Sequence, residues 1–162
     1  MKATPIAGLP FPDDTDAPDG PVQIGGLAAA LDPLVKPQRG IKSASEGFEL
    51  PEAYKDVPGT TLEITPPTAS TLLVVGTWHF QSAGAGTILQ GTMSLDGVDQ
   101  AAVALLTVGG ANAHYQTVSQ VYALALAAAE KHTIKMRAKS STKSVVYSLV
   151  AANTRFLYAM LG

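Results

Sequence analysis

The sequence contains no cysteine, which excludes disulfides and thiolate metal sites at the outset. Proline is absent from one part of the chain only: all 11 prolines fall at or before Pro67, and none occurs from Thr68 to Gly162. Charge is scarce, since Asp, Glu, Lys and Arg make up 15% of the 162 residues, where about 25% is usual. The net charge of −2 offers no basic excess for a nucleic acid backbone, so nucleic acid is not expected as a partner. No apolar run approaches the ~20 residues of a membrane helix, and membrane insertion is not expected. Met1-Lys2-Ala3-Thr4-Pro5 leads into prolines and aspartates and lacks the apolar middle of a signal peptide. The expectation is a soluble protein made in the cytoplasm without signal-directed export.

Hydrophobic residues make up 46% of the chain, enough for a core. The sparse charge is thin cover for a lone monomer and suggests that part of the surface meets partners. Residues 1–59 hold nine acids and five bases, and residues 60–162 hold four acids and six bases. Proline deletes a ladder donor and is confined to sheet edges and turns. The chain therefore divides, on sequence, into an acidic, proline-punctuated anchoring arm (1–59) and a nearly neutral sheet domain (60–162).

In the arm, Gly8-Leu9-Pro10-Phe11-Pro12 reads as an extended peptide presenting Leu9 and Phe11. A short helix is expected at about 22–32, with Ile24, Leu27, Ala28 and Leu31 on one side and Pro33 and Pro37 beyond it. At about ten residues it needs a surface to pack on. Residues 36–59 show little periodicity and read as a linker or extended wrap. The Asp13–Asp19 cluster partly fits a calcium loop through Asp14, Asp16 and Gly20. Pro18 at a ligand position and the missing bidentate Glu favour a solvated turn instead.

Period-two alternation dominates the rest. Strands are expected at 60–65, 71–81, 87–95, 98–108, 114–128, 132–139, 144–151 and 154–161. Asp96-Gly97 is a two-residue hairpin turn, and 109–112 is a further turn. On 71–81, Leu72, Val74, Trp78 and Phe80 form the core face. Leu73 and Val75 begin the opposite face, which turns polar towards Gln81 and can start beneath a partner. On 132–139, Ile134, Met136 and Ala138 face in. Residues 125–129 have helical propensity, but the period of their flanks favours strand then turn. About eight short strands make an all-β sandwich or jelly roll.

Catalytic constellations are lacking. His79, His114 and His132 show no metal spacing. No Gly-x-Ser-x-Gly elbow or phosphate loop occurs. Asp96 and Asp99 flank one hairpin, and a glycosidase would need two carboxylates about 5–9.5 Å apart. No catalytic, metal-binding or cofactor-binding residue is assigned. Lys135, Arg137 and Lys139 alternate onto one face of a strand. They read as a solvated outer strand that discourages edge pairing or, alternatively, as a patch for an anionic polymer or capsid surface.

Five phrases resemble the TNF-like and complement-globular-head family of jelly rolls: Leu72-Leu73-Val74-Val75-Gly76-Thr77-Trp78-His79-Phe80, Ser94-Leu95-Asp96-Gly97, Val121-Tyr122-Ala123-Leu124, His132-Thr133-Ile134-Lys135-Met136-Arg137 and Thr154-Arg155-Phe156-Leu157-Tyr158. A departure is Ala128-Ala129-Glu130-Lys131, where relatives often place a glycine turn. The resemblance implies a homotrimer whose apolar closing strand sits near the axis, with trimer or core packing by Leu73, Val75, Phe156, Tyr158 and Met160. The arm, from Gly8 to Asp16 and on to Leu31-Asp32, is similar to N-terminal segments of tail-fibre and minor tail proteins of phages that infect actinobacteria. That resemblance implies particle docking through Leu9, Phe11, Ile24, Leu27 and Leu31. The combined expectation is a non-enzymatic virion protein, a trimeric tail-associated fibre or spike. Its partners would be itself, other virion proteins and a host cell-surface glycan. A capsid decoration protein or head fibre is the second expectation, and a carbohydrate-active enzyme the third.

Overall fold

A computed structural model describes residues 39–82, 86–109, 114–141 and 148–161, the short strands β1 (Lys2–Ala3) and β2 (Pro10–Phe11), and the backbone at Gly26. The chain forms two compact units, Met1–Pro37 and Gln38–Gly162.

In the first unit β1 and β2 pair antiparallel, Lys2 opposite Phe11 and Ala3 opposite Pro10. A two-stranded ribbon has only edges, which is where a strand proline is tolerated. Gly26 has helical backbone. The rest of the expected helix at 22–32, Leu9, Ile24, Leu27, Leu31 and the Asp13–Asp19 cluster lie outside the described residues.

The second unit is an all-β sandwich of two antiparallel sheets. Its strands are β3 (Arg39–Ser43), β4 (Phe48–Glu49), β5 (Lys55–Asp56), β6 (Leu62–Ile64), β7 (Ser70–Ser82), β8 (Ile88–Leu95), β9 (Val98–Asp99), β10 (Ala104–Thr107), β11 (His114–Leu126), β12 (His132–Ser140), β13 (Ser148–Leu149) and β14 (Arg155–Leu161). One sheet has the order β3-β14-β7-β13-β4, with β11 paired along the whole of β7. The other has the order β10-β8-β12-β5, with β6 also on β12 and β9 on β8. Each of the eight strands expected from alternation has a counterpart, and the expected return at 98–108 is divided into β9 and β10. At the break the single Thr92 hydroxyl proton is shared between the Gln100 and Ala102 carbonyls, 3.1 and 3.2 Å away, where ladder pairing is interrupted.

The domain boundary differs from the expectation at residue 60. Residues 39–59 are woven into both sheets, β3 on β14, β4 on β13 and β5 on β12. The three strands span five, two and two residues, too short to show a period. The prolines in this stretch serve as acceptors: Pro51 C=O, between β4 and β5, takes the Ser140 N–H, and Pro58 C=O, after β5, the Ser45 N–H, both at 2.9 Å.

The core lies between the sheets. Leu72, Val74, Trp78 and Phe80 of β7 face Leu89 and Met93 of β8 and Ile134 and Met136 of β12, all with no solvent exposure. Trp78 spans the gap, lying against Gly76 of its own strand and Gly91 of the opposite sheet, where a Cβ would collide with the indole. Its Nε1–H donates to the Arg137 carbonyl at 3.1 Å, so the buried ring is satisfied. The hairpin turn stands where expected: Asp96 and Gly97 both have positive φ, 51° and 86°, as a type I′ turn requires.

Candidate interaction face

The outer face of the β7 sheet changes character along its strands. Paired residues share a face, so the register gives its rows directly. One row is Ile41–Leu157–Val75–Val121, and the next is Arg39–Ala159–Leu73–Ala123. A third adds Leu161, Thr71 and Ala125. Leu73, Leu157, Leu161, Val121 and Ile41 remain 38–58% exposed. Their surface encloses a shallow apolar depression of about 510 Å³ lined by Ile41, Leu73, Val75 and Leu157. In the other direction the face turns polar, through Ser43–Arg155–Thr77–Ser119 to His79–Thr117 and then to Glu49–Ser148–Gln81–Tyr115.

The five residues given trimer or core packing from sequence separate here. Leu73 and Val75 lie on the outer face. Phe156 is fully buried, and Tyr158 and Met160 pack partly buried against the core. Across the ladder the outer-face neighbours of Val75 and Leu73 are Leu157 and Ala159. The sequence reading missed Ile41, Leu157 and Leu161 as face residues. Every position from Phe156 to Leu161 is apolar, so composition could not say which alternate set faces out.

The outer face of the other sheet is charged, but its bases are engaged. Lys135 Nζ lies 2.8 Å from Asp56, and Arg137 reaches Asp56 at 3.0 Å and Asp99 at 2.8 Å. Arg137 also donates to the Tyr54 carbonyl at 2.7 Å. Its hydrogen bonds to Asp99 hold its pKa above the ordinary value. Lys139 Nζ sits 4.5 Å over the Tyr54 ring, and Lys131 pairs with Glu63 at 2.9 Å. Lys135, Arg137 and Lys139 thus share a face as expected, but two of the three are neutralised by acids from β5 and β9. The anionic-patch alternative has little free positive charge to work with.

Asp96 and Asp99, the carboxylates weighed for hydrolysis, each hold a basic partner. Asp96 Oδ2 accepts from His132 Nδ1–H at 2.7 Å, and its Oδ1 accepts the Thr133 N–H at 2.7 Å. These two bonds, the histidine's first, lower the Asp96 pKa. The same bond raises that of His132. His132 Nε2 lies 3.0 Å from the Ala127 nitrogen, whose N–H it accepts when neutral. It lies 3.3 Å from the Ala127 carbonyl, to which it donates when protonated. The group locks the Asp96-Gly97 turn to the β11–β12 turn. Among the described residues no set of three or more His, Asp or Glu is placed to hold a metal ion.

No protein-family model and no curated protein matches the sequence. Among solved structures, Eiger TNF from S. frugiperda superposes with a TM-score of 0.52 at 10% identity, over 78% of this chain and 93% of that one. Murine APRIL, at 13% identity over 75% and 92% of the two chains, gives 0.43. A chain of infectious bursal disease virus, Gt strain, at 14% identity over 78% and 33%, gives 0.45. The last two superpose more loosely. The likeness to Eiger shows the fold alone: this unit is a jelly-roll β-sandwich similar to that of Eiger TNF.

Proposed function

We propose that the chain is a non-enzymatic structural subunit of a bacteriophage particle, a homotrimeric tail-associated fibre or spike. Its N-terminal arm docks to the particle and its jelly-roll head faces the host surface. The observation that carries this reading is the apolar region of Ile41, Leu73, Val75, Val121, Leu157 and Leu161, exposed on one outer face while the opposite outer face is covered by ion pairs. Contiguous exposed apolar surface of this kind marks contact with another molecule. A second copy is the natural occupant, because the TNF-like resemblance implies a trimer and the patch lies on the closing strand. The phage assignment is supported by the similarity of the Gly8–Asp32 segment to tail-protein N-termini.

Light scattering coupled to gel filtration tests the assembly. A mass three times the chain's 16.7 kDa is expected at micromolar concentration, and a monodisperse monomer removes the basis of the proposal. Deleting residues 1–35 and labelling particles tests the docking. Loss from the tail supports a fibre, and loss from the capsid supports a decoration protein held through the same arm.

A further inference from the structure

The polar end of the face is built differently from the assembly end. Tyr115 is 61% exposed on the open sheet surface. Its ring stacks on His79, centroids 5.8 Å apart and planes 12° from parallel. His79 Nδ1 is in turn fixed to the Thr117 hydroxyl at 2.8 Å. The aromatic plate is therefore held in place before any ligand arrives, which lowers the ordering cost of binding. In the same row stand Gln81, Ser148 and Glu49. Ser148 Oγ donates to Gln81 Oε1 at 3.4 Å. The Gln81 amide nitrogen has no partner among the described residues, and Glu49 is exposed.

We infer that the Tyr115–Gln81–Ser148–Glu49 row, backed by His79, is a binding platform for a neutral saccharide. A pyranose has an apolar C–H face and a rim of hydroxyls that both donate and accept. Tyr115 offers a flat amphipathic ring for the first, and the amide, hydroxyl and carboxylate offer acceptors and donors for the second. From Tyr115 to Glu49 is three inter-strand steps, ~14 Å, room for two linked sugar rings. No cation stands in the row. Among the described residues Arg155, beside Thr77, is the cation paired nearest on this face, so they offer a phosphate or sulfate group no partner in the row. The row also lacks the aliphatic side chains of the assembly rows, which sets it apart from a surface for a second copy.

The platform names the ligand class for a host-facing head and in that sense rests on the proposed function. Saturation-transfer difference NMR on the full chain, with a panel of neutral disaccharides (lactose, maltose, cellobiose and chitobiose), tests it. Transfer to the ring C–H protons of at least one sugar is expected, with millimolar affinity. Tyr115→Phe should retain it and Tyr115→Ala should weaken it about tenfold or more. Glu49→Gln, at the far end of the row, is an independent variant expected to weaken binding several-fold. No transfer to any of the four sugars, or transfer unchanged in both Tyr115→Ala and Glu49→Gln, overturns the inference. A trimer that takes up no sugar overturns the platform and leaves the assembly reading standing. A monomer that binds sugar through Tyr115 supports the platform and removes that reading.

Discussion

Ala129 adopts φ of 56°, left-handed backbone that costs a residue with a Cβ about 1–2 kcal/mol. The sequence marked this turn as the place where related folds often carry glycine, and the conformation explains why. Ala129→Gly should therefore raise the unfolding free energy by about 1 kcal/mol or slightly less, since glycine also loses more chain entropy. Urea denaturation reads the change. Gly91 is the opposite case. It is buried under Trp78, so Gly91→Ala should cost about 1–3 kcal/mol through overpacking. His132 and Asp96 give a pH signature. The His132 pKa is raised above 6.5, so its contribution is full below 6.5 and is lost as pH rises through the folded value. The Asp96 pKa is lowered below 3.8, so its contribution is full above 3.8 and is lost as pH falls through the folded value. The pair thus contributes most between those two pH values. Asp96→Asn keeps a type I′ turn residue and removes the charge. It should return the His132 pKa towards 6.5 in an NMR titration and flatten the stability profile above that pH.

At the level of elements, the long strands were legible and the short ones were not. β7 and β12 alternate over 13 and nine residues and β11 over its second half, and their inward sets Leu72-Val74, Ile134-Met136-Ala138 and Tyr122-Leu124-Leu126 are buried as the period requires. Residues 125–129, ambiguous by propensity, end β11 at Leu126 and then turn. β3, β4 and β5 escaped because two to five residues carry no period; their places come from long-range pairing. Arg137 shows how such a segment is retained. Its guanidinium joins β12 to Asp56 of β5, Asp99 of β9 and the Tyr54 carbonyl. Arg137→Met should lower stability by about 1–2 kcal/mol. Amide exchange should speed up first at residues 54–56, while the core of β8 and β12 stays protected.

At the scale of the molecule, the sequence's low charge has a location. It is concentrated as apolar surface on one side of the sandwich, where composition alone could say only that some surface is undercovered. Val75→Glu, placed among Leu157, Val121 and Leu73, should convert the proposed trimer to monomers without lowering the monomer's own melting transition, because Val75 faces away from the core. Analytical ultracentrifugation with a thermal melt checks both halves of that expectation. The catalytic alternative needed two free carboxylates, and the structure engages both candidates with bases. The register also fixes a polarity. Arg39, where the described part of the sandwich begins, pairs beside Leu73 through Ala159, and Leu161 lies just beyond. Tyr115 is opposite Gln81, eight residues further along β7 and ~27 Å away. Arg39 and Leu161 therefore lie at one pole of the sandwich and Tyr115 at the other. A label placed at either end of β7 therefore reports on one half of the face without touching the other.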